Sequence, residues 1–323
     1  MQTAEVLPHL DYVLEGTDFE HLGEKSSGKV RDVYAQDVQG GRIIIVSTDR
    51  FTGFDRQLAL VLFKGAVNTQ LAQFWFEQTA DIIPNHVLAV PDPNVLVAEK
   101  MTVLPVEMVV RGFITGVTNT ALWKQYEQGR REFDGFTLPD GMHKNERLKQ
   151  PVITPTTKFE AHDRPLSREE ILGGMVTRSL WDEMCGAALA LYERGQQVAA
   201  GRGLIIPDTK YEFGVNNDGG LRLIDEAHTP DSSRYWQLGA YQERMDNGQE
   251  PEYFDKEFLR IWFAERCDPY ADEVLPAAPA QLVAELACRY VTIYKQLTGR
   301  AFHFDPTEPI GPRIEANLRP YRV

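Results

Sequence analysis

A two-lobed fold that mixes β-hairpins with separate α-helices is what this sequence predicts, on three observations. The chain has 323 residues, enough to bury a substantial core and to divide into two lobes or subdomains. Short apolar runs flank glycine-, asparagine- and aspartate-rich turns at 30–47 and again at 204–224, which is how hairpins are written. Apolar residues also recur at helical spacing in three longer stretches.

Taken in order, residues 1–20 read as an accessory arm leading into a glycine-containing loop. Val30 to Tyr34 and Arg42 to Ser47 follow as strands, and Gln39, Gly40 and Gly41 between them close a hairpin under the loop. Residues 63–79 predict a helix with Val67, Leu71, Phe74 and Trp75 on its apolar face. Val95 to Arg111 is extended and rich in Val, Met and Leu, but Pro105 cannot donate to a ladder and argues against a central strand. Its place after Pro91 and Pro93 marks a passage between lobes, which we set as residues 1–108 and a larger lobe, 109–323. Gly129 to Asp163 is polar, proline-containing and poorly periodic, and reads as a binding loop or lid. Ser167 and Glu170 form a capping-box start. A longer helix fits roughly 178–199, where Trp181, Met184, Ala188 and Leu191 recur. Leu282, Leu286, Tyr290, Ile293 and Leu297 form a packing stripe that Gly299 terminates.

Composition narrows the function. Hydrophobic content of 43% and charged content of 25% are those of an ordinary soluble protein. A formal charge of −13 without a basic tract excludes a general nucleic-acid binder, while a few arginines and lysines can still form a local pocket for a small anion. Cys185, Cys267 and Cys288 have neither pairing nor zinc-ligand spacing and read as thiols of a reducing compartment. There is no basic leader with an apolar core, and no run approaches the roughly 18 apolar residues of a membrane helix. The expected location is the cytoplasm, with no membrane or nucleic-acid polymer as partner.

The densest chemistry lies in LIIPDTKYEFG at 204–214 and LRLIDEAHTPDSSR at 221–234. Leu204 to Ile206 and Leu221 to Ile224 read as the arms of a hairpin whose turn is Asn216 to Gly220. Asp208, Lys210 and Glu212 share one side of a strand, since side chains alternate with period two, and Asp225 and Glu226 end the other arm. Two readings stand: a solvated face, or acids placed for a hard cation such as Mg²⁺ that also binds phosphates.

Other segments suit anions. GEKSSGK at 23–29 satisfies the first seven positions of a P-loop, but Val30 replaces the hydroxyl residue and a strand follows instead of a helix. A surface turn and a kinase-like loop whose amides and Lys29 face phosphates both fit. In STDRFTGFD at 47–55, Arg50 suits a carboxylate or phosphate with Asp49 orienting it, or the two form a structural ion pair. Arg111 at a strand end fits anion recognition or a lobe contact. TPTTKFE at 154–160 offers three threonines and Lys158 to a polar substrate, or is a solvated loop. TPDSSR at 229–234 suits a phosphate cradle or a helix-capping turn.

In sequence, GKVRDVY at 28–34, STDRFTGFD at 47–55, VVRGFITG at 109–116, TPTTKFE, and the arms from 204 to 234 resemble the phosphoribosylaminoimidazole-succinocarboxamide synthase (SAICAR synthetase) family. The resemblance spans most of the chain, and the extra C-terminal sequence is similar to the longer form. It implies an α+β fold of two lobes with ATP-grasp-like architecture and a kinase-like glycine loop, and a monomer. It also implies ATP-dependent joining of L-aspartate to the carboxylate of 5-amino-1-(5-phospho-D-ribosyl)imidazole-4-carboxylate, a step of purine biosynthesis. The products are SAICAR, ADP and phosphate, reached through an acyl phosphate.

By motif correspondence the resemblance places Gly28, Lys29 and Arg31 at the ATP loop, and Lys100 to Glu107 beside adenine or ribose. Glu212 and Asp225 correspond to Mg²⁺ ligands. Arg111, Asp208, Lys210, Ser233 and Arg234 lie on the nucleotide-substrate side, with Lys210, Asp208 and Arg234 in catalysis. Asp49, Arg50, Thr118 and Lys158 are further substrate contacts. One departure follows Gly116, where related sequences carry serine and this chain has Val117, Thr118 and Asn119; Thr118 or another loop supplies the hydroxyl. A small-molecule kinase and a nonenzymatic nucleotide sensor are the alternatives that share the glycine loop and the acids.

Overall fold

Nearly continuous burial along Ile44–Val46 and Val95–Ala98, whose alternate side chains enter cores on opposite faces, builds the first of two five-stranded sheets among the described residues. The computed structural model describes residues 1–54, 56–118, 120–160, 163–254 and 257–323; Asp55 of the STDRFTGFD motif, Asn119 and residues 161–162 of the expected lid lie outside them. The sheet is antiparallel throughout, in the order Glu24–Ser27, Arg31–Gln36, Arg42–Ser47, Val95–Glu99, Val87–Asp92. Ile45, Leu96 and Ala98 face the main core, which includes Val67, Leu71 and Trp75 of the helix Lys64–Gln78. Tyr34, Ile44, Val46 and Val97 face the other way, against Leu14, Leu22, Ile314 and Leu318. The C-terminal helix Ile310–Asn317 therefore covers the outer face of this sheet.

The chain passes to the second sheet at Lys100 and Met101. Thr102–Phe113, its longest strand, runs unbroken through residues 108 and 109, with Arg147–Ile153 and Thr156–Thr157 along one side and Asp208–Val215 along the other. Leu221–Ile224 completes the sheet beyond Asp208–Val215. Pro105 thus occupies a central strand, contrary to expectation. The ladder tolerates it because the register with Asp208–Val215 shifts between Glu212 and Gly214, and because Thr157 reaches only as far as Val106.

Two further expectations are corrected. Among the described residues, 129–160 are not a single loop: Glu132–Phe133 pairs with Phe136–Thr137, and Arg147–Ile153 joins the second sheet with Leu148 and Val152 buried. This is an edge strand whose other side chains are exposed except for the half-buried Ile153, so little apolar periodicity is written into it. The expected hairpin also begins later than Leu204. Leu204–Ile205 pairs with Trp236–Gln237, while the hairpin arms are Asp208–Val215 and Leu221–Ile224. Pro207, which has no N–H, separates the two pairings, and its carbonyl accepts from Gly112 at 2.9 Å.

The helices follow their patterns. Arg178–Ala200 starts at Thr177, whose hydroxyl accepts from Leu180 N at 3.3 Å. The capping box of Ser167 and Glu170 is present but opens a separate short turn before it. Ala280–Thr298 ends at Gly299, at φ 70°. Among the described residues no helix is long and apolar enough to cross a membrane.

Arg313 fastens the C-terminal helix to the first sheet. Its guanidinium donates to the buried Asp92 at 2.9 and 3.1 Å and to Asn94 at 2.8 Å. Arg313→Ala leaves the Asp92 carboxylate without its cation, and is expected to cost about 3 kcal/mol in chemical denaturation. An unchanged midpoint would show that Asp92 does not depend on it.

Candidate active site

Period-two alternation turns Asp208, Lys210 and Glu212 to one side of their strand, while Tyr211 and Phe213 enter the core. Antiparallel register sets Asp208 opposite Arg111, Lys210 opposite Val109 and Glu212 opposite Glu107. One face of a two-strand ladder thus carries acids at one end and guanidinium at the other.

At the acidic end, Lys210 Nζ lies 2.6 Å from Glu107 and 3.2 Å from Glu212, and Lys158 also pairs with Glu212. Burial opposes the charge on Glu212, but Lys210 and Lys158 outweigh it and bring its pKa down to about 2. Burial pushes Glu107 up to about 7 against the pull of Lys210. Burial also works downward on Lys210, yet Glu212 and Glu107 hold it above the usual lysine range.

Asp225 follows Leu221–Ile224 in a left-handed conformation, φ 66°, of the kind that collects at functional sites. Burial raises its pKa, and the charge of Glu212 adds to the effect. Arg31, from the first sheet, pairs with Asp225 and lies 2.6 Å from Glu226. Among the described residues no three acids, imidazoles or thiols converge as a complete metal cage. Glu212 and Asp225 nevertheless fit Mg²⁺, which is commonly held by one or two carboxylates together with phosphates.

At the other end, Asp208 Oδ2 accepts from Arg111 at 3.0 Å and from Arg234 at 2.5 Å. Arg111 Nε donates to Thr154 Oγ1 at 2.8 Å, and burial beside Arg234 lowers its pKa. Ser233 is turned inward, its hydroxyl donating to Thr209 Oγ1 at 2.7 Å. A cavity of about 160 Å³ opens onto Arg111, Thr118, Lys210, Ser232, Arg234 and Arg260. So many cations around so small a space suit a phosphate or carboxylate.

The family described as SAICAR synthetase matches residues 24–277. The chain belongs to the SAICAR synthetase family. It is 52% identical over 300 residues to a phosphoribosylaminoimidazole-succinocarboxamide synthase of Legionella pneumophila (strain Lens), covering 92% of this chain and 95% of that one. A chloroplastic synthase of the same name from Arabidopsis thaliana is 51% identical over 298 residues, covering 92% and 72%. The structure of a Saccharomyces cerevisiae SAICAR-synthase complexed with SAICAR has a TM-score of 0.76 at 27% identity, over 90% of this chain and 100% of that one. The α+β fold is that of the SAICAR synthetases.

Not every residue expected at a synthetase site gathers here. Gly28 and Lys29 lie in an exposed turn between the first two strands, where Gly28 N donates to Arg31 O at 2.8 Å. Arg50 braces that turn through the carbonyls of Gly28 and Lys29, at 3.1 and 3.2 Å, and pairs with Asp32 at 3.0 Å. Asp49 does not orient Arg50. Its carboxylate accepts from the amides of Leu14 at 2.8 Å and Gly65 at 2.9 Å, and burial lifts its pKa to about 6. Lys100 is exposed at the passage between sheets, whereas Glu107 belongs to the acidic end. Arg260, on Glu257–Ala264, escaped the sequence reading because a single arginine in an apolar helix carries no motif.

The depressed pKa of Glu212 has a testable sign. Relative to its ordinary value of 4.5, a folded value of about 2 means stability present above pH 4.5 and lost as pH falls through that window. In metal-free protein, Glu212→Gln should flatten the acid limb by on the order of 3 kcal/mol, measured by denaturation between about pH 2 and pH 5. Parallel curves for the two proteins would remove Glu212 from this role.

Proposed function

We propose that the two-ended ladder forms an amide through an acyl phosphate, with acids and Mg²⁺ at one end and the nucleotide's phosphate at the other. The chain catalyses the SAICAR synthetase reaction, the ATP-dependent ligation of L-aspartate to the carboxylate of 5-amino-1-(5-phospho-D-ribosyl)imidazole-4-carboxylate that gives SAICAR, ADP and phosphate. The observation that carries the finer reading is the register of Glu107 and Arg111 against Glu212 and Asp208, which separates the two charges along one face.

A carboxylate is a poor electrophile, and taking the γ-phosphoryl of ATP gives it a leaving group that the amine of aspartate can displace. Mg²⁺ held by Glu212 and Asp225 would supply charge neutralisation and orient the phosphates. Lys210, kept charged between Glu107 and Glu212, faces the cavity where the nucleotide's carboxylate is activated. Arg111, Arg234 and Arg260 hold the ribose phosphate, Thr118 supplies a hydroxyl, and Asp208 orients two of the guanidiniums. Ser233, which lines the same cavity with its hydroxyl bonded to Thr209, is a further contact to the nucleotide. The Gly28–Arg31 turn covers the ATP phosphates in kinase-like fashion, with Lys29 and Arg31 against them and Arg50 as its brace. Lys100, at the passage between two ATP-grasp-like lobes, borders the adenine end. Holding the amine against the activated carboxylate contributes several kcal/mol, on the order of 7 or more for well-oriented partners. A cytoplasmic monomer that binds neither membrane nor nucleic-acid polymer completes the proposal.

The test is ADP release with ATP, Mg²⁺, the nucleotide and L-aspartate, omitting each in turn, with the product identified by mass. A phosphorylated nucleotide without coupled aspartate would reject the ligation. Lys210→Ala is expected to lower kcat/KM for the nucleotide by about 10²-fold with the fold retained. Unchanged kinetics would take Lys210 out of the reaction. Asp225→Asn is expected to shift the Mg²⁺ dependence of turnover to higher concentration, and a normal titration would sink its role as a ligand.

A further inference from the structure

We propose that Lys64 is a positioning residue for the nucleotide end of the site, and that the C-terminal part of the chain sets it in place. This rests on the assignment of Ser233 and Arg234 to that end. Lys64 opens the helix Lys64–Gln78 and is only 1% exposed, with Nζ 2.5 Å from Asp231 Oδ2. Asn68, one turn on, donates to the same oxygen at 2.9 Å, and the Tyr290 hydroxyl donates to Oδ1 at 3.2 Å. An interior lysine requires an acid against it, so Lys64 dictates where Asp231 sits.

Asp231 lines the cavity and stands just before Ser233 and Arg234 in a loop with no slack. The amides of Ser232 and Ser233 both donate to Thr229 O, at 3.1 and 2.9 Å, and Lys210 N donates to Ser232 O at 3.0 Å. Moving Asp231 therefore moves Ser233 and Arg234 with it.

What aims Lys64 inward is the residue before it. Phe63 has φ 70° and ψ −9°, a left-handed conformation unfavourable for a bulky L side chain. The rings of Phe304 and Phe302 pack on it at centroid distances of 4.5 and 5.3 Å. On the other side of the turn, Gly65 N is bound by the buried Asp49, which gives that acid a part in the same path. Phe302, Phe304 and Tyr290 all lie beyond residue 277, where the family match ends. The C-terminal region reaches the site twice, through the aromatic contacts on Phe63 and through the hydroxyl on Asp231.

The test is steady-state kinetics on the full chain, with melting temperatures, for Lys64→Met, Lys64→Arg, Tyr290→Phe and Phe304→Leu. Lys64→Met should raise KM for the ribonucleotide about tenfold or more and leave KM for ATP within about twofold, with partial recovery in Lys64→Arg. Tyr290→Phe and Phe304→Leu should move the same constant by about threefold to fivefold. In a double-mutant cycle, Lys64→Met and Asp231→Asn should be non-additive. Equal shifts in every KM, or a lower melting temperature with the nucleotide KM unchanged, would overturn the proposal in favour of a merely structural pair. Should Lys64→Met fail to fold, the same split in Tyr290→Phe and Phe304→Leu decides. The wild type is measured alongside: its failure to ligate would reject the assigned reaction, whereas its turnover with unmoved variants rejects only the positioning role.

Discussion

Lys210, held between Glu107 and Glu212, is the contact on which the rest of the site depends. Antiparallel register sets the two glutamates opposite each other on one face, where like charges repel and burial worsens the repulsion. A cation between them turns that conflict into a preference for this register alone. A slip of one residue would send Tyr211 and Phe213 out of the core and bring Asp208, Lys210 and Glu212 into it. Apolar packing on one side and ion pairing on the other therefore select the same alignment.

The same economy explains how a chain with net charge −13 handles anionic substrates. Each end of the ladder has an excess of one sign: Glu107, Glu212, Asp225 and Glu226 outnumber Lys158, Lys210 and Arg31 at one, while Arg111, Arg234 and Arg260 outnumber Asp208 and Asp231 around the cavity at the other. Arg31 carries charge from the first sheet to the acids of the second, so the turn that precedes it is tied to the site by an ion pair as well as by the chain.

Much of this was legible in sequence where the determining contacts are local. The first hairpin, the long helices and the shared side of Asp208, Lys210 and Glu212 follow from turns and from periods of two and 3.6. The order of the motifs then supplied the chemistry. What escaped depends on distant partners. Leu204–Ile205 pairs with Trp236–Gln237, which no local pattern announces. Asp49 adjoins Arg50 in sequence, yet Asp49 lies in the bend before the strand that Arg50 opens, and the one reaches the amides of Leu14 and Gly65 while the other reaches Asp32. Arg147–Ile153 looks like loop because an edge strand leaves half its residues in water. Pro105 reads as a breaker until the register shift beside it is known.

The long strand Thr102–Phe113 has a geometric consequence. Glu107 and Arg111 are four residues apart on one face, so an extended chain sets them about 13 Å from each other. Asp208 and Glu212 repeat that interval on the neighbouring strand, in the opposite sense. A rigid pair of strands of this kind is a measuring rod. A molecule anchored by its phosphate at Arg111 presents its far end to Lys210 and Glu107 only if its own length matches the interval. Selection by length requires no contact with the atoms in between, and it is fixed when the backbone folds, before any side chain meets a substrate.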